Sequence, residues 1–169
     1  MILETNLEYL NKIKYWIKPH NSKKEFKLLY KMSRDGDKIG IFHKLCDNKK
    51  CPTICFIFLK DGNIIGGYTT LTWDWSGKWK KDNYSFIFNI NKNLICENIS
   101  NLNSIYCDNN YALDFDCFCY SENSHNSMKK LFYRGTSMGY YKNANQLLDY
   151  EPPCELEPDE VDVFEVIIN

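Results

Sequence analysis

Long apolar runs are missing from this chain of 169 residues. A membrane-spanning helix needs about 18 consecutive apolar residues, so direct insertion into a bilayer is not expected. The opening segment, Met1 to Glu4, lacks the basic start and apolar middle of a signal peptide, which predicts a cytoplasmic protein. A strong charge of one sign is also missing. The formal net charge of −1 offers no electrostatic attraction to nucleic acid or to an anionic membrane.

Motifs for covalent catalysis or phosphate binding are missing as well. There is no G-x-S-x-G elbow, and the three histidines, His20, His43 and His125, lie far apart in the sequence. Glycine is scarce, with eight residues, and no glycine-rich loop joins a strand to a helix. The pair Gly66-Gly67 falls in a predicted hairpin, where it indicates close approach of two backbones or a bulge.

Cysteine, in contrast, is plentiful, with eight residues. Without a signal peptide we expect reduced thiols rather than disulfides. The only metal-like cluster in the sequence is made of His43, Cys46, Cys51 and Cys55. Its spacing differs from the paired C-x-x-C pattern of zinc sites, and Cys55 alternates with bulky apolar residues of a strand. We therefore predict no metal at this cluster.

Cys46 and Cys51 are the candidates for redox chemistry. They flank Lys49 and Lys50, and a nearby positive charge lowers the pKa of a thiol and favours the reactive thiolate. An inert structural or surface thiol is the alternative, and the sequence favours it.

A helix is predicted after residue 22. Ser22 and Glu25 form a capping-box pattern at its start. Phe26, Leu29 and Tyr30 then fall on one helical face. The Arg-Asp-Gly-Asp segment that follows ends this helix, because its glycine can adopt a positive φ at little cost.

A second short helix and a hairpin come next. Ile39, Phe42 and Cys46 recur at spacings of three and four, which is the helical period. Residues 53–59 are β-branched and aromatic, as in a strand buried on both faces. An Asp-Gly turn then returns the chain as a second strand over residues 63–70.

An amphipathic helix that ends before a proline is predicted within residues 1–21. Its apolar residues are Leu3, Leu7, Leu10, Ile13 and Ile17. We expect this helix to pack on its own domain, and the alternative is that it pairs with another chain or binds a partner.

Three tryptophans, Trp73, Trp75 and Trp79, lie in a polar loop after the hairpin. They could together form an exposed recognition surface. The alternative, which we expect, is that they fold back over the edge of the core.

Further strands are predicted over residues 84–90, 104–107, 115–120, 131–134 and 161–168. Residues 91–103 and the acidic, proline-rich residues 151–160 are predicted to be loops. Six or seven strands with two or three helices gathered near the front predict an α+β domain, its strands stacked as an antiparallel β-sandwich.

Six ordered blocks of the sequence resemble the TLDc domain of the oxidation-resistance proteins. They are LLYKMSRDG, FHKLCDN, PTICFI, GNIIGGYTT, TWDWS and DNYSFIFNI. A seventh block, DEVDVFEVI, is similar to the last strand of that family. The resemblance implies a domain over residues 22–169, preceded by the helix of residues 1–21. It also implies a two-sheet antiparallel β-sandwich flanked by short helices.

The resemblance further implies a function. TLDc proteins are associated with protection from oxidative stress and with endolysosomal traffic, and they bind the vacuolar-type proton-pumping ATPase and influence its assembly. We accordingly expect a monomeric, non-enzymatic interaction domain without a cofactor, which reaches endolysosomal membranes through its partner. A cysteine-based redox sensor or weak enzyme is one alternative, and a structural or oligomerisation module is another.

The candidate binding residues are Ser33, Arg34, Asp35, Gly36, His43, Trp73, Trp75 and Trp79. The first five, with Asp47, are expected to form a polar network that joins the helices to the sheet. Catalysis by Asp35 and His43 is the alternative.

Two departures from the family pattern fall within residues 111–116. The usual Tyr-Gly-Pro-Ser-Phe-Gly has Ala112 and Asp116 in place of its glycines, so we expect restricted backbone angles and an altered loop there. A later serine–tyrosine pair of the family pattern is partly retained, as Ser137 and Tyr140.

Overall fold

The computed structural model describes residues 2–121, 126–136 and 138–169, with side chains from residue 7 onward. His125 and Ser137, which the sequence singled out, lie outside the described residues. The helices are α1 (Ile2–Trp16), α2 (Met32–Asp35) and α3 (Ile39–Cys46), and a 3-10 turn spans Ala144–Gln146. The strands are β1 (Lys24–Lys31), β2 (Thr53–Leu59), β3 (Ile64–Thr69), β4 (Lys78–Lys81), β5 (Phe86–Asn89), β6 (Leu94–Glu97), β7 (Asn103–Asp108), β8 (Tyr111–Asp114), β9 (Phe118–Ser121), β10 (Leu131–Tyr133), β11 (Cys154–Leu156) and β12 (Pro158–Ile168).

These strands form two six-stranded antiparallel sheets. The strand order is β1-β12-β2-β3-β5-β6 in the first sheet and β11-β10-β9-β8-β7-β4 in the second. The predicted α+β sandwich of two antiparallel sheets with short helices is confirmed. The described residues form about twice as many strands as expected, because short edge strands such as β4 carry no apolar alternation.

Strand β2 shows how the layers pack. Ile54 and Phe56 face outward and belong to the cluster under α1. Cys55 and Ile57 face inward and belong to the core between the sheets. All four are at most 3% exposed. The strand is therefore covered on both faces, as its unbroken run of apolar residues predicts.

Helix α1 packs on the outer face of the first sheet. Ile13 and Ile17, the latter just past the helix end, are fully buried against that sheet, whereas Leu7 is 58% exposed. The C-terminal half of the apolar stripe thus contacts the same chain, as expected from its spacing.

The helix predicted after residue 22 is wrong, because that segment is strand β1. It pairs with β12, and a bulge between Leu28 and Tyr30 shifts the register. Phe26 contacts Phe164 edge to face on the outer side of the sheet. Tyr30 is fully buried in the inner core. Apolar residues on both faces of a bulged strand therefore reproduce the three-and-four spacing of a helix face.

Other boundaries also differ from the sequence-based expectation. Strand β6 lies inside the predicted loop of residues 91–103. The strand predicted over 115–120 begins only at Phe118, after a turn. The predicted loop over residues 151–160 contains β11 and the start of β12, with Glu160 8% exposed.

Asp82, between β4 and β5, links the two sheets. Its Oδ2 accepts hydrogen bonds from the Thr69 hydroxyl at 2.8 Å and the Thr70 amide at 2.7 Å. Its Oδ1 accepts from the Thr70 hydroxyl at 2.9 Å and the Tyr84 amide at 3.0 Å. Its backbone amide donates to the hydroxyl of Ser104 in β7. The sequence did not indicate this residue.

Candidate functional site

The Ser-Arg-Asp-Gly segment folds as α2 and the residue after it. Arg34 donates to Asp35 from Nε at 2.8 Å and from Nη2 at 2.7 Å, and Nη2 also donates to the Leu29 carbonyl at 3.1 Å. The Asp35 Oδ2 accepts the Lys31 amide at 2.9 Å. The carbonyl of Gly36 accepts the Tyr30 hydroxyl at 2.7 Å. These contacts tie the segment to the end of β1.

Ser33 joins this segment to the last strand. Its amide donates to the Glu160 Oε1 at 3.0 Å, which also accepts the Val161 amide at 3.1 Å. The Lys31 ammonium lies 3.3 Å from the Glu160 Oε2 and 3.0 Å from the Asp162 Oδ1. Burial by itself raises the pKa of Glu160, but the hydrogen bonds from Ser33 and Val161 and the charge of Lys31 leave that pKa lowered. The sequence missed Lys31 and Glu160.

We expect Glu160→Gln to lower the free energy of unfolding at neutral pH by about 1.5–3 kcal/mol, the range for hydrogen bonds to a charged group. The folded-state pKa of Glu160 is lowered, so its stabilisation is present above the ordinary value of 4.5 and disappears as pH falls through the folded value. Urea titrations of both proteins from neutral pH to pH 3 measure this difference. If the difference in free energy of unfolding between the two proteins stays constant down to pH 3, the stabilisation does not come from an ionised Glu160.

His43 lies in α3, beneath the Trp75 ring. Its Nδ1 is 3.0 Å from the Asp47 Oδ2, and both side chains are nearly buried, with 5% and 6% exposure. Its Nε2 is buried and has no hydrogen-bond partner among the described residues. The imidazole meets the Trp75 ring at 89°, with ring centroids 6.4 Å apart. A cleft of about 500 Å³ opens beside this pair, and we call it the α3 cleft. It is lined by Gly40, His43, Lys44, Asp47, Asn48 and Trp75.

The three tryptophans do not share one surface. Trp73 is buried, its indole donates to the Thr53 hydroxyl at 3.0 Å, and it packs within the inner core. Trp79 lies in β4 and packs on Tyr106 and Tyr140. Trp75 alone of the three is largely exposed, at 69%. The structure thus leaves only Trp75 of the three largely exposed and places the other two in packing roles.

The metal-like cluster is not assembled. Among the described residues, no group of three or more His, Cys, Asp or Glu side chains could hold a metal ion. His43 instead pairs with Asp47, and Cys46 and Cys55 lie in the inner core. Cys51 is partly exposed, in the segment between α3 and β2.

Both redox candidates sit in settings that raise a thiol pKa. Burial raises the pKa of Cys46, and the charge of Asp47 adds to this effect. Burial and the neighbouring Glu165 raise the pKa of Cys51. A raised pKa keeps the thiol protonated and lowers its reactivity at neutral pH.

We expect only Cys51 and Cys154 to react with a thiol reagent such as DTNB in the native protein, because the other six cysteines are buried. Their reaction should quicken as pH rises, since the pKa of each thiol is raised. Absorbance of released thionitrobenzoate measures the number and rate of reacting thiols. The double variant Cys51→Ser/Cys154→Ser serves as the control and should be unreactive until urea unfolds it. Fast native modification of Cys46 contradicts this prediction.

The residues that replace the family glycines are accommodated in different ways. Ala112 lies within β8 and has no positive φ, whereas Asp116 adopts a left-handed φ of 68°. The Asp116 carboxyl accepts the Met138 amide at 3.2 Å. Arg134 donates to the neighbouring Asp114 at 2.9 Å. Restricted angles were predicted at both replaced glycines, and only Asp116 shows the left-handed backbone that favours glycine.

These observations define an α+β sandwich domain whose polar residues around α2 bind its own backbone, and which exposes one tryptophan beside a cleft. A model of the TLDc domain matches residues 4–153. The chain belongs to the TLDc domain family. A search of curated proteins found no match. Among the described residues, the helices are too short or too polar to cross a bilayer.

Proposed function

We propose that this chain is a non-enzymatic interaction domain that protects against oxidative stress by binding and regulating the vacuolar-type proton-pumping ATPase. It acts on the cytoplasmic side of endolysosomal membranes, which it reaches through that partner. The observation that carries the proposal is the match of the TLDc domain over residues 4–153. TLDc proteins are associated with this protection and with binding of this pump.

The contacts of the candidate acid and base support a binding role. The Asp35 carboxyl is engaged by Arg34 and by the Lys31 amide. His43 is held by Asp47 and is nearly buried beneath Trp75. A general acid or base must reach a proton of the substrate, but the Asp35 carboxyl is bonded within the fold and the Nε2 of His43 is buried.

The two alternatives find less support. Redox sensing needs an accessible thiolate, but burial raises the pKa of Cys46, and Cys51 lies near the carboxylate of Glu165. An oligomerisation module would use its first helix between chains, but Ile13 and Ile17 are buried on the chain's own sheet.

The test is capture of the purified, assembled proton pump by the immobilised full-length chain, with an unrelated β-sandwich domain as the control bait. We expect pump subunits on the first bait only, and no turnover of peroxides or esters by the free protein. Absence of capture contradicts the proposal. Peroxide turnover that is lost in Cys46→Ser or Cys51→Ser supports the redox alternative instead.

A further inference from the structure

We propose that Trp75 and the α3 cleft form a docking site for an acidic segment of a partner protein. This inference rests on the proposed function in that it assumes a protein-binding domain. It goes further by naming the surface and the charge of what binds there.

Trp75 has the features of an interface anchor. It is 69% exposed although it is a large aromatic residue, and the core is complete without it because Trp73 fills the inner position. Tryptophan is enriched among the residues that dominate binding energy at interfaces. The His43 ring meets it edge to face from below, and Asp47 fixes the orientation of that ring.

The loops that carry this surface are held together before any partner arrives. The Asn48 amide, just after α3, donates to the Trp73 carbonyl at 2.9 Å. The Thr72 hydroxyl donates to the Lys49 carbonyl at 3.0 Å. The Lys80 ammonium donates to the Thr72 carbonyl at 2.7 Å. A preformed surface loses less conformational entropy on binding than a mobile one.

Exposed lysines stand on each of the segments that border Trp75, although the whole chain carries a net charge of −1. Lys44 lines the α3 cleft, Lys50 belongs to the adjoining loop, and Lys78 begins β4 just after the tryptophan loop. All three side chains are exposed.

Three acids on or beside the same segments already have partners within the chain. Asp47 is bonded to His43, and the Asp74 Oδ2 lies 2.6 Å from the Lys80 ammonium. Asp108, beyond the loop, accepts the Asn110 amide of its own turn. In the proposed complex, carboxylates of the partner pair with Lys44, Lys50 and Lys78, and an apolar residue of the partner packs beside Trp75.

The experiment uses the full chain and a library of immobilised synthetic peptides of about 12 residues, long enough to cross one such groove. The peptides have equal apolar content and range from strongly acidic to strongly basic. We expect the labelled protein to bind acidic peptides selectively. Copies of those peptides with Gln for Glu and Asn for Asp should bind at least about tenfold more weakly.

Variants locate the binding surface. Trp75→Ala and Lys44→Glu/Lys78→Glu should each weaken binding by about tenfold or more. Two matched controls should bind like the unsubstituted chain. Tyr15→Ala removes an aromatic residue that is 75% exposed on α1. Lys129→Glu reverses an exposed lysine beside Lys60, at the opposite end of β2 from Trp75.

Several results overturn the proposal. They are selection of neutral or basic peptides, no binding at all, or binding that survives both cleft variants. Trp75-dependent binding to vesicles of anionic lipid but not to peptides assigns the surface to membranes. Dimerisation that Trp75→Ala abolishes assigns it to a second copy. If the cleft variants still capture the pump, the docking site proposed here is wrong and the proposed function stands. If the chain binds acidic peptides but does not capture the pump, the docking site stands and the proposed function is wrong.

Discussion

Gly66→Ala is expected to lower the free energy of unfolding by about 3 kcal/mol or more, at the upper end for overpacked cores. Gly66 lies in β3, between β2 and β5. A methyl group there would overlap the carbonyl oxygen of Cys55 and the ring of Phe88. The first is backbone of a central strand and cannot move without disrupting the pairing of β2 with β3. A loss of this size is a large part of the stability of a single domain.

Gly67→Ala should act through the opposite face of the same strand. Its added methyl group would lie 2.6–2.8 Å from ring atoms of Phe115. Phe115 packs against Trp73 in the inner core, so its ring has little room to move. We expect a loss of about 1–3 kcal/mol, smaller than at Gly66 because a side chain rather than backbone must shift.

Urea denaturation followed by circular dichroism measures both losses, and Gly40→Ala is the matched control. Gly40 is in helix α3, and nothing lies within 4 Å of the position its methyl group would take. That variant should gain about 0.4–1 kcal/mol, because alanine restricts the unfolded chain and favours the helix. If Gly66→Ala keeps the unsubstituted midpoint, the close packing described for β3 is wrong.

Asp82→Asn is expected to cost about 2–3 kcal/mol, although the side chain keeps its shape. Each oxygen of Asp82 accepts one backbone amide, that of Thr70 at Oδ2 and that of Tyr84 at Oδ1. Whichever way the new amide group turns, its NH₂ faces one of these N–H donors. One of these two backbone donors then loses its acceptor, and the link between β3 and β7 weakens.

The control for this prediction is Asp149→Asn. Asp149 is 88% exposed at its side chain and pairs with Lys92 on the surface, so its loss should stay within about 0.5 kcal/mol. Chemical denaturation at neutral pH compares the two variants. Equal midpoints for Asp82→Asn and the unsubstituted chain contradict the role of Asp82 as a link between the sheets.

Much of the architecture follows from local sequence pattern. The apolar run of β2 indicated burial on both faces, and the structure confirms it. The paired glycines of β3 indicated close backbone approach, and added methyl groups there would meet Cys55 and Phe115. The spacing of Ile39, Phe42 and Cys46 placed α3 correctly. The ordered blocks indicated the TLDc family, and the family match over residues 4–153 confirms it.

The candidate site could be predicted less well from the sequence than the fold. Ser33 and Arg34 were singled out, but Glu160, which binds the Ser33 amide, stands 127 residues further along the chain. The apolar residues of the bulged strand β1 have the spacing of a helix, and only the pairing of this segment with β12 distinguishes a strand from a helix there. The tryptophans of the loop have similar neighbours in the sequence but differ in exposure, because Trp73 inserts between the sheets while Trp75 stays at the surface.

The sequence by itself therefore determined the family, the sandwich and the strands whose faces are both buried, because hydrophobic periodicity is a property of neighbouring residues. Tertiary structure alone decided which polar groups meet, such as Asp82 with β3 and Lys31 with Glu160, and which tryptophan remains exposed. Hydrogen bonds and burial of this kind join residues far apart in the chain, so they are set by how the two sheets pack rather than by any local pattern.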